Sequence, residues 1–227
     1  MTSVTGPKQS YLGIAQMGIA LAGVVFRTAL RNDSAHVLVS RIFDRMAQQL
    51  EAPDSEGFDI RSSRDVMVQF FGSVCFVFSG DLVWELLVKP SREAEPLISA
   101  TDSPDLLLAF CNYESGGSFG YAFFERGLRT RTRLQTTDVL GLPPILESGR
   151  PKKFEVRCLN SPTYLEEDDC PPDQWQRIYR LNDGRLNMPE RYLTQHMLHE
   201  ALAMNFDICP WETDAHSETS FFRLLPT

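Results

Sequence analysis

The sequence predicts an α+β domain: a single, largely antiparallel sheet built from hairpins and packed by at least two amphipathic helices. Three observations carry this reading. Short apolar runs are separated by turn chemistry, as where residues 66–71 and 74–78 flank Gly72-Ser73. Residues 115–134 form a glycine-rich approach, an apolar strand, a turn at Glu125-Arg126-Gly127 and a return strand with arginine at every second position. Two stretches, residues 34–50 and 189–206, place apolar side chains at helical spacing. Strand pairs interspersed with helices fit a mixed domain better than a regular alternation of strand and helix.

Taken in order, residues 1–10 are polar and residues 11–26 are apolar, with a core strand expected around 18–25. That run is too short and too poor in flanking charge for a membrane span or a leader. Asn32-Asp33-Ser34 offers capping oxygens for a helix whose apolar face is Leu38, Val39, Ile42, Phe43, Met46 and Leu50. The 66–71/74–78 hairpin follows. Residues 82–88 fit either a strand or a short helix, and residues 91–100 read as a helix opened by Ser91 and disturbed by Pro96. Residues 106–111 are a buried strand leading into the 119–124/128–134 hairpin. Gly141, Pro143-Pro144 and Gly149 make residues 141–151 the best candidate for a boundary within an otherwise single domain. Residues 154–159 read as a strand, 161–172 as a solvated loop, and 175–181 as a short element. Pro189 and Glu190 suit the first turn of the second long helix, and residues 220–225 read as a final edge strand.

Composition narrows the function classes. The chain has 227 residues, is 43% hydrophobic, and carries a formal net charge of -8. That size and apolar content support a sizeable core, and the negative charge disfavours a nucleic-acid partner. The five cysteines are odd in number and contain no C-x-x-C pair, so a reducing, cytoplasmic setting fits better than a secreted disulfide framework.

Four groups of residues invite chemistry. Gly116-Gly117-Ser118-Phe119-Gly120 matches G-x-S-x-G, in which a nucleophilic serine sits on a strand-to-helix elbow; here the following residues read as a strand. His196, His199 and Glu200 share a sector of the late helix, flanking an apolar stripe of Leu193, Met197, Ala201 and Met204. Two imidazoles and a carboxylate can bind a metal, but H-E-x-x-H is absent and no further ligand is identifiable, so no metal and no cofactor is assigned. Arg129, Arg131 and Arg133 alternate along one strand face, with Arg126 in the preceding turn; strict alternation leaves Thr130, Thr132 and Leu134 on the opposite face. Such a row needs carboxylates of the same chain, an anionic ligand or an acidic partner surface. The acidic run Glu166 to Asp169 lacks the spacing of a calcium loop.

The segment Gly120-Tyr121-Ala122-Phe123-Phe124-Glu125-Arg126-Gly127-Leu128-Arg129, followed by Gly141-Leu142-Pro143-Pro144-Ile145-Leu146-Glu147, resembles the strand–turn–strand of uncharacterised bacterial domains, some of them immunity-like. The resemblance covers about residues 104–150. It implies a binding role and brings no catalytic residue. The sequence thus favours a bacterial protein that binds another protein, with a hydrolase as the alternative, using either Ser118 or the His196, His199 and Glu200 group.

Overall fold

The computed structural model describes residues 20–54, 56–89, 94–137, 139, 141–167, 171–172 and 175–226. In chain order its main elements are β1 (Ala20–Arg27), α1 (Ala35–Phe43), β2 (Ala47–Leu50), β3 (Asp65–Phe71), β4 (Val74–Phe78), α2 (Gly80–Val88), α3 (Glu95–Ala100), β5 (Leu106–Tyr113), β6 (Ser118–Glu125), β7 (Leu128–Gln135), β8 (Ile145–Gly149), α4 (Lys153–Leu159), β9 (Thr163–Glu166), β10 (Gln176–Leu181), β11 (Leu186–Pro189), α5 (Glu190–Phe206) and β12 (Glu218–Leu224). The fold is mixed α+β. Among the described residues, nine strands form one sheet in the order β2-β12-β3-β4-β1-β5-β6-β7-β8, and β11-β10-β9 form a small second sheet. Every pairing in both sheets is antiparallel.

The large sheet is covered on both faces. One face, with Val24, Val77, Leu107, Ala109, Ala122 and Phe124, packs against α1, α2 and α3. The other, with Phe76, Phe78, Phe110, Tyr121 and Phe123, packs against α4, α5 and the small sheet. Two-sided burial explains why the central strands read as continuous apolar runs: all five residues of β4 are buried. At Gly23 an added Cβ would lie 2.3 Å from the Val77 carbonyl oxygen, so β1 and β4 close up only because no side chain intervenes there.

The β3–β4 and β6–β7 hairpins match the expected strands, and Gly72 supplies the positive φ (60°) of the first turn. Several expectations are corrected. The first helix ends at Phe43, where Asp44 turns left-handed (φ 49°). Residues 47–50 then pair with β12, and Met46 is exposed. Residues 82–88, which fitted either a strand or a short helix, take the helical form as part of α2. Residues 145–149 form β8, a strand not foreseen there, and hydrogen-bond to β7. Residues 154–159 form helix α4 in place of a strand, with Phe154 and Cys158 buried at i,i+4 spacing and the Lys152 amide donating to the Glu155 carboxylate. Residues 163–166 form β9 inside the supposed loop. The last strand is internal: β12 lies between β2 and β3. On α5 the stripe is Leu193, Met197, Leu198, Ala201, Leu202 and Phe206, while Met204 is exposed. The apolar residues 11–19, the cap at Ser91 and Asp168-Asp169 of the acidic run lie outside the described residues. No helix among the described residues is long and apolar enough to cross a membrane.

An ion pair fixes β12 in place. The Arg223 guanidinium donates to both carboxylate oxygens of Asp65 (2.8 and 3.1 Å) and to the carbonyls of Glu56 and Gly57. Burial works to raise the Asp65 pKa, but the Arg223 guanidinium and the Asp59 amide outweigh it, and the net shift is downward. A carboxylate with a depressed native pKa stabilises the fold above its unfolded value of about 4, and that contribution is lost as pH falls through the lower native value. Asp65→Asn is therefore expected to lower stability at neutral pH by about 2 kcal/mol. It should also flatten the acid limb of a pH–stability curve measured by urea unfolding. An unchanged acid limb would assign that limb to other carboxylates.

Candidate functional site

The return strand β7 holds the arginine series, and a β-bulge changes its meaning. Phe123 pairs with Arg131 and Phe124 with Arg129, so Thr130 is an extra residue without a partner in β6. The alternation slips by one at that point. Arg129 turns to the α2 side of the sheet, contrary to the expected common face. There its guanidinium donates to the Leu86 carbonyl in the last turn of α2 (2.7 Å) and to Thr132 Oγ1 (3.0 Å), and lies 4.8 Å from the centre of the Phe124 ring. A cation at a helix C-terminus complements the exposed carbonyls.

Arg131 and Arg133 remain on the α4/α5 side, and both are buried. Arg131 Nε donates to Glu155 (2.8 Å) and its NH2 group to Glu147 (2.8 Å); NH1 reaches the carbonyls of Ser148 and Gly149. Arg133 donates to Glu147 and, through Nε, to Thr194 Oγ1 of α5 (3.0 Å). Glu155 is fully buried and also accepts from the Tyr121 hydroxyl (2.7 Å). Burial, reinforced by the Glu155 charge, pushes the Tyr121 pKa well up. Two buried cations, the buried Glu155 and the solvent-edge Glu147 therefore close on one another, tying β6, β7, β8, α4 and α5 together. Of the four candidate binding arginines, Arg126 is the exposed one, in a left-handed turn (φ 50°) beside exposed Leu128.

Ser118 opens β6 as a strand residue, is buried, and shares a 2.8 Å hydrogen bond with Thr136. The strand-to-helix elbow of a nucleophilic serine is not formed here, and the hydroxyl faces protein. The serine form of the hydrolase alternative loses its geometric basis.

The α5 histidines separate into two settings. His199 Nδ1 lies 2.8 Å from Glu212, and its Nε2 accepts from the Trp211 indole N–H at 3.1 Å. Both nitrogens of a neutral imidazole are thereby satisfied. Burial lowers the His199 pKa, opposed by the Glu212 charge. His196 lies 3.5 Å from Glu200 Oε1, and its buried Nε2 has no hydrogen-bond partner among the described residues. Beside it, Cys158 of α4 approaches Glu200 Oε2 at 4.0 Å, and Arg157 donates to Glu200 Oε1 at 2.7 Å. Burial, with Glu200 adding to it, pushes the Cys158 thiol up to about 11. Thus His196 and Glu200 meet as the sequence implied, His199 points to a different cluster with Cys209 and Glu212, and Cys158 joins unforeseen.

One open groove of about 380 Å³ lies where β7, β8, β10 and α5 begin or end. Pro144, Ile145 and Trp175 give it apolar walls; Arg177, Glu190 and Arg191 give it charge. Arg177 pairs with Glu190 at 3.2 Å. Gln135 also lines the groove; its Nε2 donates to the Glu190 carbonyl, while Oε1 has no partner among the described residues. Sequence reasoning missed this groove because its lining comes from four separate segments with no shared motif.

Neither a family model, nor a curated protein, nor a solved structure matches the chain.

Proposed function

We propose that the protein acts by binding another protein in the bacterial cytoplasm, as an inhibitor of immunity type. The observation that carries this reading is the groove between the end of β7 and the start of β8, with its apolar walls and charged rim. An extended segment of a partner would place an apolar side chain against Ile145 and Trp175. The net charge of -8 favours a partner that is basic overall, because long-range attraction speeds encounter. The resemblance of residues 104–150 to immunity-like domains adds modest support. It ends just after Ile145, which lines the groove.

The test compares the wild type with Trp175→Ala/Arg191→Glu as bait in cell extract of the source organism. Binding through the groove predicts one specific basic partner, reconstituted from purified components, whose affinity falls about 10-fold or more in the variant at unchanged thermal stability. Equal affinity of both baits would overturn the groove as the contact. Absence of any reconstitutable partner would overturn the protein-binding reading.

A further inference from the structure

We propose that Cys158, His196 and Glu200 form a binding site for one divalent ion of the zinc class, joining α4 to α5. The inference rests on these three side chains and is independent of the protein-binding reading. One donor comes from α4 and two from α5, where 196 and 200 sit one turn apart on the same face. The ligand atoms all lie within 4.8 Å of one another. The Nε2–Oε1 separation is 3.5 Å and the Sγ–Oε2 separation 4.0 Å. Tetrahedral zinc, with bonds of about 2.0–2.3 Å, places its ligand atoms roughly 3.3–3.6 Å apart, so separations of at most 4.8 Å close with side-chain shifts on the order of an ångström.

Two further observations point to a ligand. His196 Nε2 is buried and without a hydrogen-bond partner among the described residues, an arrangement that wastes a polar atom unless something occupies it. Arg157 holds Glu200 through Oε1, which orients the carboxylate and leaves Oε2 directed toward the sulfur. Thiolate, imidazole and carboxylate together suit zinc better than calcium or magnesium, which favour oxygen alone. On binding, the Cys158 thiol releases its proton to solvent as the sulfur–metal bond forms. The site then holds two negative ligands against two positive charges, with Arg157 at the rim. His196 and Glu200 keep about a fifth of their side-chain surface exposed, which leaves room for water as a fourth ligand. The neighbouring cluster of His199, Cys209 and Glu212 is the weaker candidate, because both nitrogens of His199 are already committed.

The test uses the full chain, stripped with a chelator and titrated with Co²⁺ as an optical probe. One ion per chain is expected, with a thiolate-to-metal charge-transfer band and the visible bands of a tetrahedral site, both bleached by Zn²⁺. Cys158→Ser should abolish the charge-transfer band, and His196→Asn and Glu200→Gln should each weaken Co²⁺ binding at least about 10-fold. Cys209→Ser should change neither. Zn²⁺ should raise the melting temperature of the wild type and of Cys209→Ser, and raise that of Glu200→Gln by clearly less at the same Zn²⁺ concentration. A spectrum without a thiolate band, a band that survives Cys158→Ser, or one lost in Cys209→Ser would each overturn the assignment. If Cys158→Ser fails to fold, the His196→Asn and Glu200→Gln titrations decide the matter alone.

Discussion

Glu155→Ala is expected to cost about 3–5 kcal/mol of folding stability, enough to threaten folding at physiological temperature. The substitution removes the carboxylate that accepts from Arg131, from Tyr121 and from the Lys152 amide, and it leaves the Arg131 charge with Glu147 as its remaining anionic partner. Arg131 is 1% exposed, so water cannot replace the lost partner. Glu155→Gln should fall between, because an amide oxygen still accepts hydrogen bonds while the charge is gone. The double replacement Arg131→Met/Glu155→Leu should recover most of the loss, since a buried ion pair and a packed apolar pair are often close in stability. Urea unfolding of the four proteins measures this. A cost below about 1 kcal/mol for Glu155→Ala would show that the buried charge finds another partner.

Gly149→Ala is the second large effect, at about 3 kcal/mol or more, combining backbone strain with overpacking. Gly149 closes β8 opposite the Thr130 bulge with φ at 76°, and an added Cβ would fall 2.1 Å from the Thr130 carbonyl oxygen and 3.0 Å from the Arg131 Cα. Neither atom can give way, because both belong to the backbone of β7. Relief would push β8 outward and carry Glu147 away from Arg131 and Arg133. Gly141 is the control: its φ is also positive (85°), but nothing lies within 4 Å of an added Cβ. Gly141→Ala should cost only roughly 1–2 kcal/mol. Equal losses for the two variants, read by thermal or urea unfolding, would mean that the contact with Thr130 is accommodated.

Period and turn chemistry made much of the sheet legible. The β3–β4 and β6–β7 hairpins follow from apolar runs bounded by glycine turns, and α5 follows from its apolar stripe. What escaped was set by tertiary pairing. Residues 47–50 continue the helical pattern of α1 in sequence, yet they are drawn into the sheet by β12. Residues 154–159 are too short for periodicity to separate strand from helix, and their identity is decided by Glu155 at the first turn and by burial at 154 and 158. The bulge at Thr130 has no sequence signature, so the arginine row looked like one face when it is two. For the candidate metal centre, two of three ligands were readable as an i,i+4 pair. The third, Cys158, lies 42 residues before Glu200 and became visible only when α4 was seen against α5.

The position of β12 also constrains the order in which the molecule can assemble. Its pairing with β3 joins residues separated by as much as 158 positions, as between Asp65 and Arg223, and among the described residues β2 has β12 as its only neighbour in the sheet. A loop of that length must close before either strand gains its hydrogen bonds, so β2 cannot be templated by β3 in advance. The hairpins β3–β4 and β5–β6–β7 can form from local contacts, while one flank of the sheet waits on a distant segment. Chains caught at that stage present an unpaired β3 edge, the kind of surface through which two incomplete molecules exchange strands or aggregate.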